Sequence, residues 1–197
     1  MGRIKSALEI AMERTESVKG DKRSIHQFET KQQGKRLANE FLESAGGGNA
    51  VSLEQEIKKT SAEQRDAFRQ GIFDVLLSQI ALPVSPEDEK RIEAAGKGLQ
   101  AVIGDNKFAA LCKQLSQYIA RYMSETQQYD AALRQQYAPK LRQKEEEFAR
   151  RTGQQIRLDP FQDPEFVAYY NQNMNALKAN YRQIVDQVKE QAVSMFR

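Results

Sequence analysis

The residues able to carry acid–base, nucleophilic or metal chemistry are few in this chain, and they are scattered. There is one histidine, His26, and one cysteine, Cys112, in 197 residues. Nucleophilic and general-base catalysis most often recruit histidine beside a serine or cysteine, and only Ser24 lies near His26. A solvated surface histidine is the better reading. Zinc needs clustered His, Cys or carboxylate ligands, and a single His with a single Cys cannot build the usual set. The Glu-x-x-His pairs of di-iron bundles are missing as well.

Glu145, Glu146 and Glu147 form a run of three glutamates. Because Glu146 and Arg150, and Glu147 and Arg151, stand four residues apart like surface ion pairs, the run reads as a solvated helix face and not a metal site. Gly46, Gly47 and Gly48 bring a phosphate loop to mind, yet no Lys-Ser or Lys-Thr follows them and no strand precedes them. Gly96 and Gly98 more simply let two helices approach closely. Neither a cofactor nor a metal ion is expected, and no catalytic residue can be named.

Composition sets the remaining bounds. Hydrophobic residues make up 40% of the chain and charged residues 29%, too apolar for general disorder and too polar for a lipid-embedded protein. The longest apolar patch, Ile72 to Leu82, is shorter than a membrane span and contains Asp74, so it reads as a buried helix. Glu9, Glu13 and Glu16 interrupt the N-terminal apolar positions, which argues against a secretory signal. With Cys112 alone there is no internal disulfide, so a cytoplasmic location is expected. Net charge is only +3, enough to keep a helical surface in solution. All seven tyrosines fall between Tyr118 and Tyr181.

These side chains must be positioned by helices, because apolar residues recur at helical spacing almost throughout. Ile4, Leu8, Ala11, Thr15 and Val18 share one stripe, and Ile25, Phe28, Leu37, Phe41 and Leu42 resume it. Gly20 and Asp21 predict a break between the two. The glycines at 46–48 predict a linker, since each costs about 1 kcal/mol in a helix interior. Ser52 and Gln55 start the next helix, with a break near Thr60 and Ser61. Pro83 ends the Ile72–Leu82 segment. Ser85, Pro86, Glu87 and Asp88 open another helix, which stops at Gly104.

From Asn106 to Arg151 the pattern predicts one helix of roughly 70 Å, longer than a domain of this size is wide. Pro139 should kink it. Asp163, Pro164 and Glu165 open the last helix. There Tyr170, Met174, Leu177, Tyr181, Ile184, Val188, Gln191 and Met195 step alternately by four and three, the repeat of a coiled-coil seam.

The expected fold is therefore all-α: a small helical body plus a long antiparallel coiled-coil helical hairpin. Residues 1–45 form an N-terminal helical segment, 46–51 a glycine-rich linker, 52–104 the body and 105–197 the hairpin.

Two surfaces invite partners. At the hairpin turn, Ile156, Leu158, Phe161 and Phe166 have little core nearby, so they either plug the end of the coil or meet another molecule. On the second N-terminal segment, Lys22, Arg23, Lys31, Lys35 and Arg36 could bind the phosphates of an RNA, although Glu29 and Glu40 lie close by. The leading expectation is a non-enzymatic interaction or scaffold protein that meets a protein partner or a second copy of itself. An RNA- or ribosome-associated factor comes second, and an enzyme with an unrecognised site third.

The opening MGRIKSALEIAMERTESVKGDKRSIHQFETKQQGKRLANEFLES resembles the start of an uncharacterised family of bacterial proteins. The resemblance implies a bacterial cytoplasmic origin and carries no functional residue.

Overall fold

A computed structural model describes residues 7–44 and 52–196, with side chains described from residue 23 onward. The described residues form six α-helices and one short 3-10 turn, without a strand. They are α1 (Ala7–Ser44), α2 (Leu53–Lys59), α3 (Ala62–Gln79), α4 (Pro86–Ile103), α5 (Asn106–Thr152) and α6 (Pro164–Phe196), the 3-10 turn Pro160–Gln162 lying before α6. The side chains of the stripe from Ile4 to Val18 and of Lys22, and the Gly46–Gly48 linker, lie outside what is described.

Helix boundaries follow the capping chemistry. Ser52 accepts the Gln55 amide at the start of α2. At α4 a full capping box forms: the Ser85 hydroxyl accepts the Asp88 amide, and the Asp88 carboxylate accepts the Ser85 amide at 2.9 Å. Gly104 and Gly153 end α4 and α5 with φ near +73° and +71°, a left-handed conformation that glycine adopts without steric cost. Pro139 sits inside α5, which continues unbroken to Thr152.

The expected break at Gly20 and Asp21 does not occur, for α1 is one helix of 38 residues. One interior glycine costs about 1 kcal/mol, too little to stop a helix held by tertiary packing further along. Its packed face also differs from expectation. Ile25 and Phe28 are 58% and 62% exposed, whereas Thr30, Gly34, Ala38 and Leu42 are buried. Small residues at four-residue spacing (Thr30, Gly34, Ala38) bring α1 close to α3, Leu37, Phe41 and Leu42 pack into the core as expected, and Ile25 and Phe28 are left outside.

The main core gathers Ala38 and Leu42 of α1, Leu53 of α2, Ile72 and Leu76 of α3, and Ala95 and Leu99 of α4. The first turns of α5 add Phe108, Leu115 and Ile119, and the last turns of α6 add Val185, Val188 and Ala192. Phe196 closes this end by stacking on Phe73, ring centres 4.1 Å apart, under the Arg69 guanidinium.

The buried stripe of α6 follows the expected seam at Met174, Tyr181 and Val188 but shifts by one residue at two positions, the first being Val185, which is buried while Ile184 is only half-buried. Ala192 is buried in place of Gln191, which is exposed. Entry into a many-helix core widens the contact beyond a single neighbour, and a strict alternation of four and three no longer fits.

Gly96 confirms the close approach read from sequence only loosely, for a Cβ there would lie 3.5 Å from the Cys112 sulfur, an ordinary contact. Gly98 is tighter, 2.8 Å and 2.9 Å from atoms of Leu76 and Phe41. Cys112 is half-buried and donates to the Gly96 carbonyl, and burial pushes its thiol up to about 11. It holds little thiolate at neutral pH and behaves as a core side chain.

Candidate protein-contact site at the far end of α5 and α6

Helices α5 and α6 run antiparallel beyond the main core. As numbers fall along α5 they rise along α6: Tyr137 meets Asp163, Asp130 meets Tyr170, and Glu125 meets Tyr181. Each of these pairs is a tyrosine hydroxyl donating to a carboxylate, and each carboxylate also holds a cation. Tyr181 donates to Glu125 at 2.6 Å while Arg121 donates to its other oxygen. Tyr170 donates to Asp130 at 2.9 Å, and Arg134 binds the second oxygen at 2.9 Å.

These partners shift titration in one sense. The Tyr181 hydroxyl and then Arg121 hold the Glu125 carboxyl below its usual range. Burial pushes the Tyr170 and Tyr181 phenols up, and the carboxylates beside them push further. The phenols remain donors throughout the physiological range, so the ladder fixes the register of the two helices.

One buried polar atom on this pair lacks a partner, the Thr126 hydroxyl. Thr126→Val keeps the shape and removes the orphan, so it is expected to stabilise the protein by about 1 kcal/mol, read from chemical denaturation.

The far end has a core of its own. Tyr137, Leu141 and Phe166 are buried together, with Leu158, Tyr169 and Tyr170 packed around them. Tyr137 lies 18 residues beyond Ile119, the last main-core residue of α5, so this cluster begins roughly 27 Å further along the helix. Phe161 meets Phe166 and Tyr170 edge-on and carries the Arg134 guanidinium 4.7 Å over its ring.

Beside this cluster lies a polar knot. The Asp163 carboxylate accepts from Lys144 at 2.7 Å, from the Tyr137 hydroxyl at 3.1 Å and from the Glu165 amide at 3.1 Å. Lys144 also reaches Glu165 at 2.7 Å, and Lys140 reaches the same oxygen at 3.0 Å. Across the turn, Glu145 accepts the Leu158 amide at 2.7 Å. That residue was expected on a solvated face, and it instead pins the loop. Glu146 and Arg150 do lie on an exposed face, 3.9 Å apart.

Lys144 and then Lys140 draw the Glu165 carboxyl down from 4.5 to about 2, and Lys144 lowers Asp163 as well. A carboxylate whose pKa falls on folding contributes stability that is complete above its ordinary range and is lost as pH falls toward the folded value. Amide protection factors at this end, which take out the intrinsic pH dependence of exchange, are therefore expected to fall between pH 5 and pH 2 before those of the main core. Lys144→Met should flatten that acid dependence.

The four residues picked out at the turn divide. Phe166 is fully buried, so it serves the local core and is not offered to a partner. Leu158 and Ile156 are half-buried, and Phe161 is 43% exposed. Phe148, nearby on α5, is 39% exposed and was not among the residues expected there.

The basic residues of α1 divide too. Arg23 and Arg36 are exposed, whereas Lys31 is bound to Asp74 of α3 at 2.8 Å and Lys35 is half-buried beside it. Burial opposes ionisation of Asp74, yet Lys31 and Gln70 hold its carboxyl below the usual range. Arg23, Gln27 and His26 flank Glu63 and Gln64 at the start of α3, where His26 and Gln64 are in contact.

Among the described residues no group of three or more His, Cys, Asp or Glu could hold a metal ion, and no helix is long and apolar enough to cross a membrane.

Nearly all of the α5–α6 pair, and most of the core it enters, lies within the stretch that a family model recognises. Residues 54–194 match the model described as Family of unknown function (DUF6657). The chain belongs to that family. The match takes in α3 to α5, most of α2 and nearly all of α6, and leaves out α1. It starts beyond the first 45 residues, so it does not bear on the bacterial resemblance read there. No curated protein matches the chain, and no solved structure does.

Proposed function

We propose that this is a non-enzymatic interaction protein whose α5–α6 pair acts as a coiled-coil hairpin, presenting its far end to a protein partner or to a second copy. The carrying observation is that this end has its own core and ion network yet leaves Phe161 exposed, with Ile156 and Leu158 half-buried near it. A rigid aromatic side chain, already ordered by edge contacts and a guanidinium above its ring, loses little freedom on binding and makes a good anchor.

The tyrosine–carboxylate ladder supports this reading because it supplies stiffness. A contact element held away from its body needs a fixed register to present the same surface each time. The nucleic-acid alternative is weaker, since Lys31 spends its charge on Asp74.

The test is quantitative capture from the native cell using the intact protein beside Phe161→Asp. A specific partner, or an untagged second copy, should be retained by the first and depleted at least tenfold by the second. An identical set of bound proteins with both would refute the assignment. RNA capture that weakens steeply with salt would restore the alternative.

A further inference from the structure

Helix α1 is longer than the helix it lies on. A Cβ on Gly71 of α3 would fall on the Lys31 carbonyl oxygen, a Cβ on Gly34 would fall on the Phe68 carbonyl oxygen, and His26 touches Gln64. The two helices therefore run in the same direction, and α3, which begins at Ala62, flanks α1 only from about His26 onward. The α1 backbone is helical back to Ala7, so Ala7 to Ile25 adds roughly 27 Å of helix ahead of α3. Thr30, Gly34 and Ala38 mark the face that α3 takes, and Ile25 and Phe28 stand exposed away from it.

The spacing of Ile25 continues a repeat that starts earlier. Leu8, Ala11, Thr15, Val18, Lys22 and Ile25 step alternately by three and four, which sets Leu8, Thr15 and Lys22 at the a positions of a heptad and Ala11, Val18 and Ile25 at the d positions. Ala7, Arg14, Asp21 and Phe28 then form the g row beside that seam.

Charge inverts at the middle of this stretch. In residues 7–17, Glu9, Glu13 and Glu16 outnumber Arg14 and leave −2; in residues 18–28, Lys19, Lys22 and Arg23 outnumber Asp21 and leave +2. Such a helix is complementary to itself turned end for end. With Leu8 set opposite the partner's Ile25, every a position meets a d position, and in the g row Arg14 meets the partner's Asp21 while Ala7 meets the partner's Phe28. Two-fold symmetry repeats each contact, so Ile25 and Phe28 are covered on both chains. A parallel pair is disfavoured, because Arg14 would then face the partner's Lys19.

We infer that residues 7–28 of α1 are a dimerisation arm that pairs antiparallel with the same segment of a second copy of this chain. The arm goes beyond the far-end contact proposed above: it uses neither Phe161 nor α6, and either surface can fail without the other.

Full-length charge variants test the pairing by sedimentation velocity. Arg14→Glu and Asp21→Arg should each weaken self-association by about tenfold, since each turns two attractive pairs into repulsive ones. Mixed one to one, the two variants should form a heterodimer at least as tight as the wild-type dimer, because each new charge then meets its opposite. Ile25→Asp, on the exposed side of α1, should remove the dimer and leave the melting of the body unchanged. In a Cys112→Ser background, Leu8→Cys and Ile25→Cys should give a disulfide-linked dimer when mixed and far less when either is oxidised by itself. A wild-type chain that stays monomeric up to its solubility limit overturns the inference, as does a dimer indifferent to the charge variants and to Ile25→Asp. Stronger crosslinking of Leu8→Cys with itself than with Ile25→Cys overturns the antiparallel arrangement.

Discussion

Gly71→Ala is expected to lower the melting temperature by about 4–8 °C, followed by far-ultraviolet circular dichroism. Alanine is the better helix former by about 1 kcal/mol, so in an exposed helix the same change would stabilise. Here the new methyl group falls on a carbonyl oxygen of α1, and a backbone cannot rotate away as a side chain can. Separating two packed helices costs at the upper end of the overpacking range, about 3 kcal/mol. The net loss of about 2 kcal/mol gives the stated shift for a chain of this size. Gly98→Ala meets only the ends of Leu76 and Phe41, which can move, and should cost less. Gly96→Ala meets the Cys112 sulfur at an ordinary 3.5 Å and should be neutral or mildly stabilising. Equal effects at all three positions would contradict this account of the α1–α3 contact.

Phe166→Ala should have the larger effect on free energy and the smaller one on the main melting transition. Emptying a fully buried phenylalanine site costs about 3–5 kcal/mol. Because the cluster around Tyr137 and Leu141 is separate from the main core, that cost should appear as local opening. Amide exchange in residues 137–170 is expected to speed up by about a hundredfold or more, while α3 and α4 keep their protection. A global loss of stability with uniform exchange would mean that the far end is not a separate unit.

Much of the helical layout was legible because its causes are local. Ser85-Pro86 with Asp88, Asp163-Pro164, Gly104 and Gly153 each carry their own capping or left-handed chemistry, and the helices begin and end there. Gly20 misled because a single glycine is a weak signal and packing at residues 30–42 outweighs it. Ile25 and Phe28 misled for a related reason. Apolar periodicity marks a buried face only where the neighbour is built for large side chains, and α3 presents Gly71 to α1 instead.

The tyrosine ladder was half visible. The crowding of tyrosines after residue 118 is plain in the sequence, but their partners stand 26–56 residues away and emerge only once the antiparallel register is fixed. Glu145 was read as solvated for the same reason, since its partner is a loop amide that no helical spacing reveals. Of the turn residues, sequence found the apolar group and could not divide Phe166, which plugs the end, from Phe161, which remains outside.

The claim on which the functional proposal stands is that the far end of α5 and α6 is held well away from the main core. Small-angle X-ray scattering of the monomer measures this directly. A compact chain of this length has a radius of gyration of roughly 16 Å, whereas a helix pair reaching along the roughly 70 Å of α5 should raise it above about 20 Å. A value near the compact figure, with no long tail in the distance distribution, would contradict the account.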